Sequence, residues 1–179
     1  EQQGREIAVR HNTEWFASPD QIRSLVQGVV IAVPTVHHHD VGLPFLEAGI
    51  SVLMEKPLAN SLQAAQALQR MASFRRATLQ VGHVERFNPA FELLQQKIDR
   101  PLYIRAQRVS PYTFRSTDIG VVHDLMIHDI DLILALTGDS IVRVDSFGAV
   151  TFGPHEDMAI ARLTTSSGTI ADVTASRMS

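Results

Sequence analysis

Apolar positions in this chain cluster into short continuous runs separated by helical stripes. Gly28–Val33 (GVVIAV), Ile50–Met54 and Thr78–Val81 are compact aliphatic runs, the pattern of strands buried on both faces. Pro34 stops the first of them. Between the runs the period changes. His39–Ala48 puts Val41, Phe45 and Ala48 on one helical face, with Gly49 as its stop. Asn60 or Ser61 caps a helix to about Phe74, with Leu62, Ala65, Leu68 and Met71/Ala72 on one stripe. Ser18–Gln27 reads as a further helix, with Ser18 as cap, Pro19 in the first turn, and Ile22, Leu25 and Val26 at helical spacing. Residues 1–10 favour no element.

Strand and helix in alternation, with short connections, predict a doubly wound parallel sheet with right-handed crossovers. Ligands of such sheets sit beyond the carboxyl ends of the strands. Three segments therefore share one edge: Pro34-Thr35-Val36-His37-His38, Glu55-Lys56-Pro57, and the stretch Gly82 to Pro89.

The pattern changes near Phe87. Pro89–Ile98 predicts a helix, Pro101–Ser110 a strand, Pro111–Gly120 a polar loop, and Val121–Leu136 a long apolar helix ended by Gly138. Ile141–Thr151, Asp157–Thr165 and Thr169–Ser176 then follow as strands, with Gly168 in the last turn. Strands without intervening helices predict a mainly antiparallel sheet. The chain thus divides into an α/β part, residues 1–86, and an α+β part, residues 87–179.

Composition narrows the classes. Sixteen basic against 19 acidic residues give a net charge of −3, and no like-charge run exceeds a pair such as Arg75–Arg76. Nothing here steers nucleic acid or an anionic membrane. The longest apolar runs are too short to span a bilayer, and no segment reads as a secretory leader. The absence of cysteine excludes disulfides, thiolate metal sites and cysteine nucleophiles. These features fit a cytoplasmic protein. The chain opens on Glu1 rather than methionine and closes in a predicted strand, as a piece of a longer polypeptide would.

Four groups of residues could carry chemistry. Asp124, His128 and Asp131 stand at i, i+4 and i+7, one narrow stripe of an otherwise apolar helix. Buried charge is costly unless paired or used. Such a stripe is either a proton relay or a structural Asp–His–Asp network between domains. Asp129 faces the other way, as a structural residue, and His123 is peripheral. Lys56, just past a buried strand and beside Glu55, could polarise a substrate oxygen, hold a cofactor ribose or phosphate, or be a plain surface lysine. Arg86 and Asn88 could touch a sugar or phosphate, or serve as a junction salt bridge and cap. His37-His38-His39 is a poor metal site, because consecutive residues point different ways. A cofactor-facing histidine fits that loop better. The ten glycines, finally, make no G-x-G-x-x-G.

At these residues the sequence resembles a known family. "VVIAVPTVHHHDVGLPFLEAGISVLMEKPLA" is similar to the middle of the nucleotide domain of the Gfo/Idh/MocA oxidoreductases. Their E-K-P tripeptide, their P-x-x-x-H loop (Pro34 to His38) and their D-x-x-x-H helix (Asp124 to His128) occur in order. "VGHVERFNPAF" and "GVVHDLMIHDIDLIL" resemble the nucleotide-sugar branch, with UDP-N-acetylglucosamine 3-dehydrogenases among it. The resemblance implies a partial Rossmann-like domain and a partial second domain, from an enzyme of about twice this length. It implies NAD or NADP as cofactor and a sugar or nucleotide-sugar substrate, oxidised or reduced at a CH–OH carbon. Lys56, Asp124 and His128 are the implied catalytic residues. Pro34, Thr35, His38, Glu55 and Lys56 would line the cofactor. Arg86, Asn88 and Asp131 would meet the substrate, with no metal. It also implies a homo-oligomer, a dimer or tetramer joined through the open face of the second sheet. The glycine turn and the ribose-binding carboxylate of the family have no counterpart here. A non-catalytic sensor or subunit of the same fold, and an inositol or free-sugar dehydrogenase, are the alternatives. A histidine-based metal hydrolase is the least supported.

Overall fold

The computed structural model describes residues 1–113 and 118–178. Helix α1 (Gln2–Arg10) comes first, on residues whose sequence favours no element. Strands β1 (Gly28–Ile31), β2 (Ser51–Met54) and β3 (Leu79–Val81) then form a parallel sheet in that order. Its crossovers are α2 (His38–Glu47) and α3 (Leu62–Arg75), which pack against one another. Ser61 caps α3 by accepting from the Ala64 amide at 3.2 Å. Gly49 ends α2 with φ +77°, a conformation glycine adopts without strain. Leu46, Met54 and Leu68 are fully buried between the helices and the sheet, with Phe45 and Val52 beside them. Burying each such side chain contributes about 1.5–3 kcal/mol.

Two expectations change here. Val30 and Leu53 are exposed, because within this chain α2 and α3 cover one face of the sheet. The expected helix Ser18–Gln27 shrinks to a single 3₁₀ turn, Pro19–Ile22. Ser18 and Gln21 close a capping box around that turn, and Ile22 at its end and Val26 on irregular backbone still pack against the core.

Past β3, a turn leads to α4 (Pro89–Lys97) and then to β4 (Tyr103–Val109). A π-helical turn, Val122–Met126, runs into α5 (Ile127–Thr137), which ends at Gly138. Strands β5 (Ile141–Ala149), β6 (Met158–Thr165) and β7 (Ile170–Ser176) complete a four-stranded sheet in the order β4-β7-β6-β5. Two of its pairings are antiparallel, and β4 runs parallel to β7. The inner face is made of small residues, among them Ala159, Ala161, Ala171 and Ala175, so Val121, Met126 and Ile133 pack close against it. The outer face carries an Arg162–Asp172–Tyr103 network beside exposed Phe147 and Ile160. The expected loop Pro111–Gly120 includes residues 114–117, which lie outside the described residues. Among the described residues no helix is long and apolar enough to cross a membrane.

The long helix departs most from its sequence pattern. The Ile127 amide bonds the carbonyl of Val122, five residues back. A π turn takes up an extra residue, so a spacing of four no longer equals one turn. Asp124 and His128 are therefore not stacked as a regular helix would stack them.

Candidate active site

The sheet topology builds the site. Because β1, β2 and β3 are parallel, the residues after them share one edge. Pro34 and Thr35 follow β1, Glu55 and Lys56 follow β2, and Gly82 and His83 follow β3. Backbone bonds tie the loops together. The Glu55 amide donates to the Ile31 carbonyl at 2.9 Å, and the Gly82 amide to the Met54 carbonyl at 2.7 Å. A pocket of about 440 Å³ opens there, lined by Pro34, Thr35, Glu55, Lys56, Asp118 and Asp124 among others.

Lys56 spans the two halves of the chain. Its Nζ donates to Asp124 Oδ1 at 2.9 Å and to the Asp124 carbonyl at 2.8 Å. Two of its three N–H groups are thus engaged. The two side chains are 20% and 21% exposed, so solvent screens the pair only in part.

His38 lies beneath the loop. It is 1% exposed, with Nδ1 2.8 Å from the Pro57 carbonyl and Nε2 3.0 Å from the Val33 carbonyl. A neutral ring donates to only one of these. His38 links the loop after β1 to the Lys56-Pro57 turn and leaves no ring nitrogen facing the pocket. His37 is exposed and His39 contacts Asp40, so the three histidines diverge. Among the described residues no group of three metal-ligating side chains converges.

His128 is half-buried beside these groups. Its pKa lies below the ordinary value of 6.5, because burial disfavours the imidazolium and because Lys56 and Arg108 add positive charge; Glu85 and Asp129 oppose them. Its Nδ1 is buried without a hydrogen-bond partner among the described residues. Asp124 is bonded to Lys56 and not to His128, so the expected Asp124–His128 relay is replaced by an Asp124–Lys56 pair.

The rest of the charged stripe ties the halves together. Arg86 grips Asp131 with two bonds, 2.7 and 2.6 Å, and the Asp131 side chain is only 9% exposed. That bond holds the Arg86 guanidinium above its usual pKa. Asn88 accepts from the Ala90 amide at 3.0 Å as the cap of α4. Asp129, on the other side of α5, holds Arg108 of β4 at 3.0 and 3.2 Å.

Arg108 and Asp118 are not among the residues the sequence singles out, whereas His83 belongs to the predicted edge segment Gly82 to Pro89 without a role of its own. Arg108 sits 3.6 Å from Glu85 and belongs to the field around His128; its inward place in the β4 alternation is the signal that marks it. The Nε2 of His83 stands 3.8 Å from Asp131, while its Nδ1 is buried and unpaired among the described residues. Asp118 lines the pocket, with Oδ2 buried and equally unpaired. No periodicity points to a loop residue such as Asp118.

Known proteins share this fold. Residues 1–83 match the Gfo/Idh/MocA oxidoreductase family's NAD-binding Rossmann fold, and residues 95–179 match a Gfo/Idh/MocA C-terminal domain. UDP-N-acetylglucosamine 3-dehydrogenase of Acidithiobacillus ferrooxidans is 39% identical over 174 residues, which are 97% of this chain and 56% of that protein. A crystal structure of the enzyme from that organism aligns with a TM-score of 0.92 and 38% identity, over 99% of this chain and 59% of the other. The scyllo-inositol 2-dehydrogenase (NAD(+)) of Bacillus subtilis is 30% identical over 196 aligned positions, covering 100% of this chain and 56% of that protein. The chain spans a little over half the length of these relatives. With both halves matched in order, and with the parallel sheet and the mixed sheet meeting at Lys56 and Asp124, the chain belongs to the Gfo/Idh/MocA oxidoreductase family.

Proposed function

We propose that this chain forms the part of an NAD(P)-dependent dehydrogenase where nicotinamide meets a carbohydrate CH–OH, the carbohydrate being a nucleotide-linked amino sugar. One observation carries the reading. An ammonium from the parallel sheet and a carboxylate from the second half meet at 2.9 Å on the wall of one pocket, with an imidazole kept neutral nearby.

The residues fit a nicotinamide cofactor. Pro34, Thr35 and Glu55 line the carboxyl edge of a parallel sheet, where dinucleotides lie in such folds. When bound, that cofactor accepts hydride from the carbon being oxidised. The chain's own residues handle the proton and the geometry. Lys56, with its third N–H, donates to the oxygen of the reacting hydroxyl and favours developing negative charge there. Asp124 fixes the direction of that ammonium. His128 is neutral at neutral pH and takes the hydroxyl proton. Its buried Nδ1 matches a site whose polar partner arrives with the ligand. His38 acts through the loop as a brace. Arg86, half in water, and Asn88 face the substrate, and Asp131 sets the angle of Arg86.

The inositol alternative keeps a foothold through the Bacillus subtilis relative. Turnover by the full-length protein separates the two. NADH appearance at 340 nm is followed with UDP-N-acetylglucosamine and with myo-inositol. His128→Ala and Lys56→Ala are each expected to cut kcat by orders of magnitude while NADH still binds. Unchanged kcat in both variants removes these roles, and turnover of inositol alone removes the nucleotide sugar.

A further inference from the structure

We propose that Asp118 is a specificity-determining residue: its carboxylate accepts a hydrogen bond from a hydroxyl of the carbohydrate held beside Lys56 and Asp124. This rests on the dehydrogenase reading above and adds the group that selects the substrate.

Asp118 shares the pocket wall with Lys56 and Asp124, yet Lys56 is bonded to Asp124 and not to Asp118. One oxygen of Asp118 is buried and makes no hydrogen bond among the described residues. A buried acceptor left unmet is costly, and more so when it is charged. Asp118 cannot readily turn away to solvent, because the residues after it are anchored. The Ile119 carbonyl accepts from Arg177 at 3.3 Å, and the amides of Val121 and Val122 reach the Glu156 carbonyl and carboxylate at 3.0 and 3.2 Å. Ile119 and Val121 are themselves buried.

An ionised carboxylate accepts hydrogen bonds and donates none, and it repels phosphate. The group it meets is therefore a hydroxyl or an N–H, not the pyrophosphate of a cofactor or of a nucleotide sugar. Two molecules could present a hydroxyl: the carbohydrate and the cofactor ribose. Pro34, Thr35 and Glu55, which suit the cofactor, reach this pocket from the first half of the chain, whereas Asp118 comes with Asp124 from the second half, and this assigns the hydroxyl to the carbohydrate. Recognition of this kind discriminates strongly, because an analogue lacking the hydroxyl leaves the carboxylate unmet.

Asp118→Asn in the full-length protein keeps the shape and removes the charge. The KM for UDP-N-acetylglucosamine is expected to rise about 10-fold, the difference between a hydrogen bond to a charged acceptor and one to the neutral amide oxygen that remains. NADH affinity, read by fluorescence, is expected to stay unchanged. Discrimination between the substrate and its monodeoxy analogues is expected to shrink by a similar factor. Unchanged KM and discrimination overturn the proposal. Loss of NADH affinity by the same factor also overturns it, because the hydroxyl then belongs to the ribose. Should the Asn variant not fold, Asp118→Glu moves the acceptor outward by one methylene and is read by the same three measurements. A wild-type protein that neither binds nor oxidises any carbohydrate offered fails the dehydrogenase reading instead, before any variant is made.

Discussion

Lys56 is joined to Asp124 twice, once through the carboxylate and once through the backbone carbonyl of the same residue. The two contacts respond differently to substitution. Asp124→Asn leaves the backbone contact and a neutral acceptor in place, so Lys56 stays anchored. Lys56→Met removes both contacts and strands a carboxylate that is only about one-fifth exposed. The lysine variant is expected to lose about 1–2 kcal/mol of stability and Asp124→Asn less than about 1 kcal/mol. Urea denaturation of both variants checks the order. Equal losses would mean that the backbone contact contributes nothing.

The same ammonium acts on His128. Burial lowers the His128 pKa most, and the positive charge of Lys56 comes next. Lys56→Met is therefore expected to raise the His128 pKa toward its ordinary value, as followed by NMR titration of the ring proton. A fall, or no movement, contradicts the assigned field. The sign for stability follows from the same depression. The unfolded chain binds a proton at this histidine at higher pH than the folded chain does. The stability linked to His128 is complete above its unfolded value of about 6.5 and declines as pH drops below it. In alcohol oxidation a neutral base is the competent form, so kcat/KM is expected to hold across neutral pH and fall only on the acid side.

Much of this is legible in the sequence. The runs at Gly28, Ile50 and Thr78 marked three parallel strands, because short aliphatic runs divided by helical stripes have few other solutions. That pattern also put Lys56 on the ligand edge. Helical spacing suggests an Asp124–His128 pair, whereas Asp124 bonds Lys56, because that spacing assumes a regular helix and the π turn at Val122–Met126 leaves no mark in periodicity. The P-x-x-x-H loop suggests a cofactor-facing His38, and nothing in the sequence reveals that two carbonyls enclose its ring. Arg108 comes from a strand outside the motifs and Asp118 from a loop without periodicity just before Asp124, and only tertiary packing brings them to His128 and to the pocket.

Arg86 and Asn88 stand two residues apart and differ in what their loss leaves behind. Arg86→Ala strands Asp131, whose carboxylate is buried and, among the described residues, keeps only the His83 ring, at 3.8 Å, nearby. Removing one partner of a fully buried ion pair costs roughly 3–5 kcal/mol. Half of the Arg86 side chain is in water, so about 2 kcal/mol is expected here. Asn88→Ala removes one helix cap and is expected to cost about 1 kcal/mol. Arg86→Lys keeps the charge but loses the two-pronged grip, and it is expected to fall between them. Thermal and urea unfolding of the three variants rank these costs. If Arg86→Ala proves no more damaging than Asn88→Ala, the Asp131 carboxylate finds another partner once Arg86 is gone, and the Arg86–Asp131 grip is not what joins the two halves of the chain.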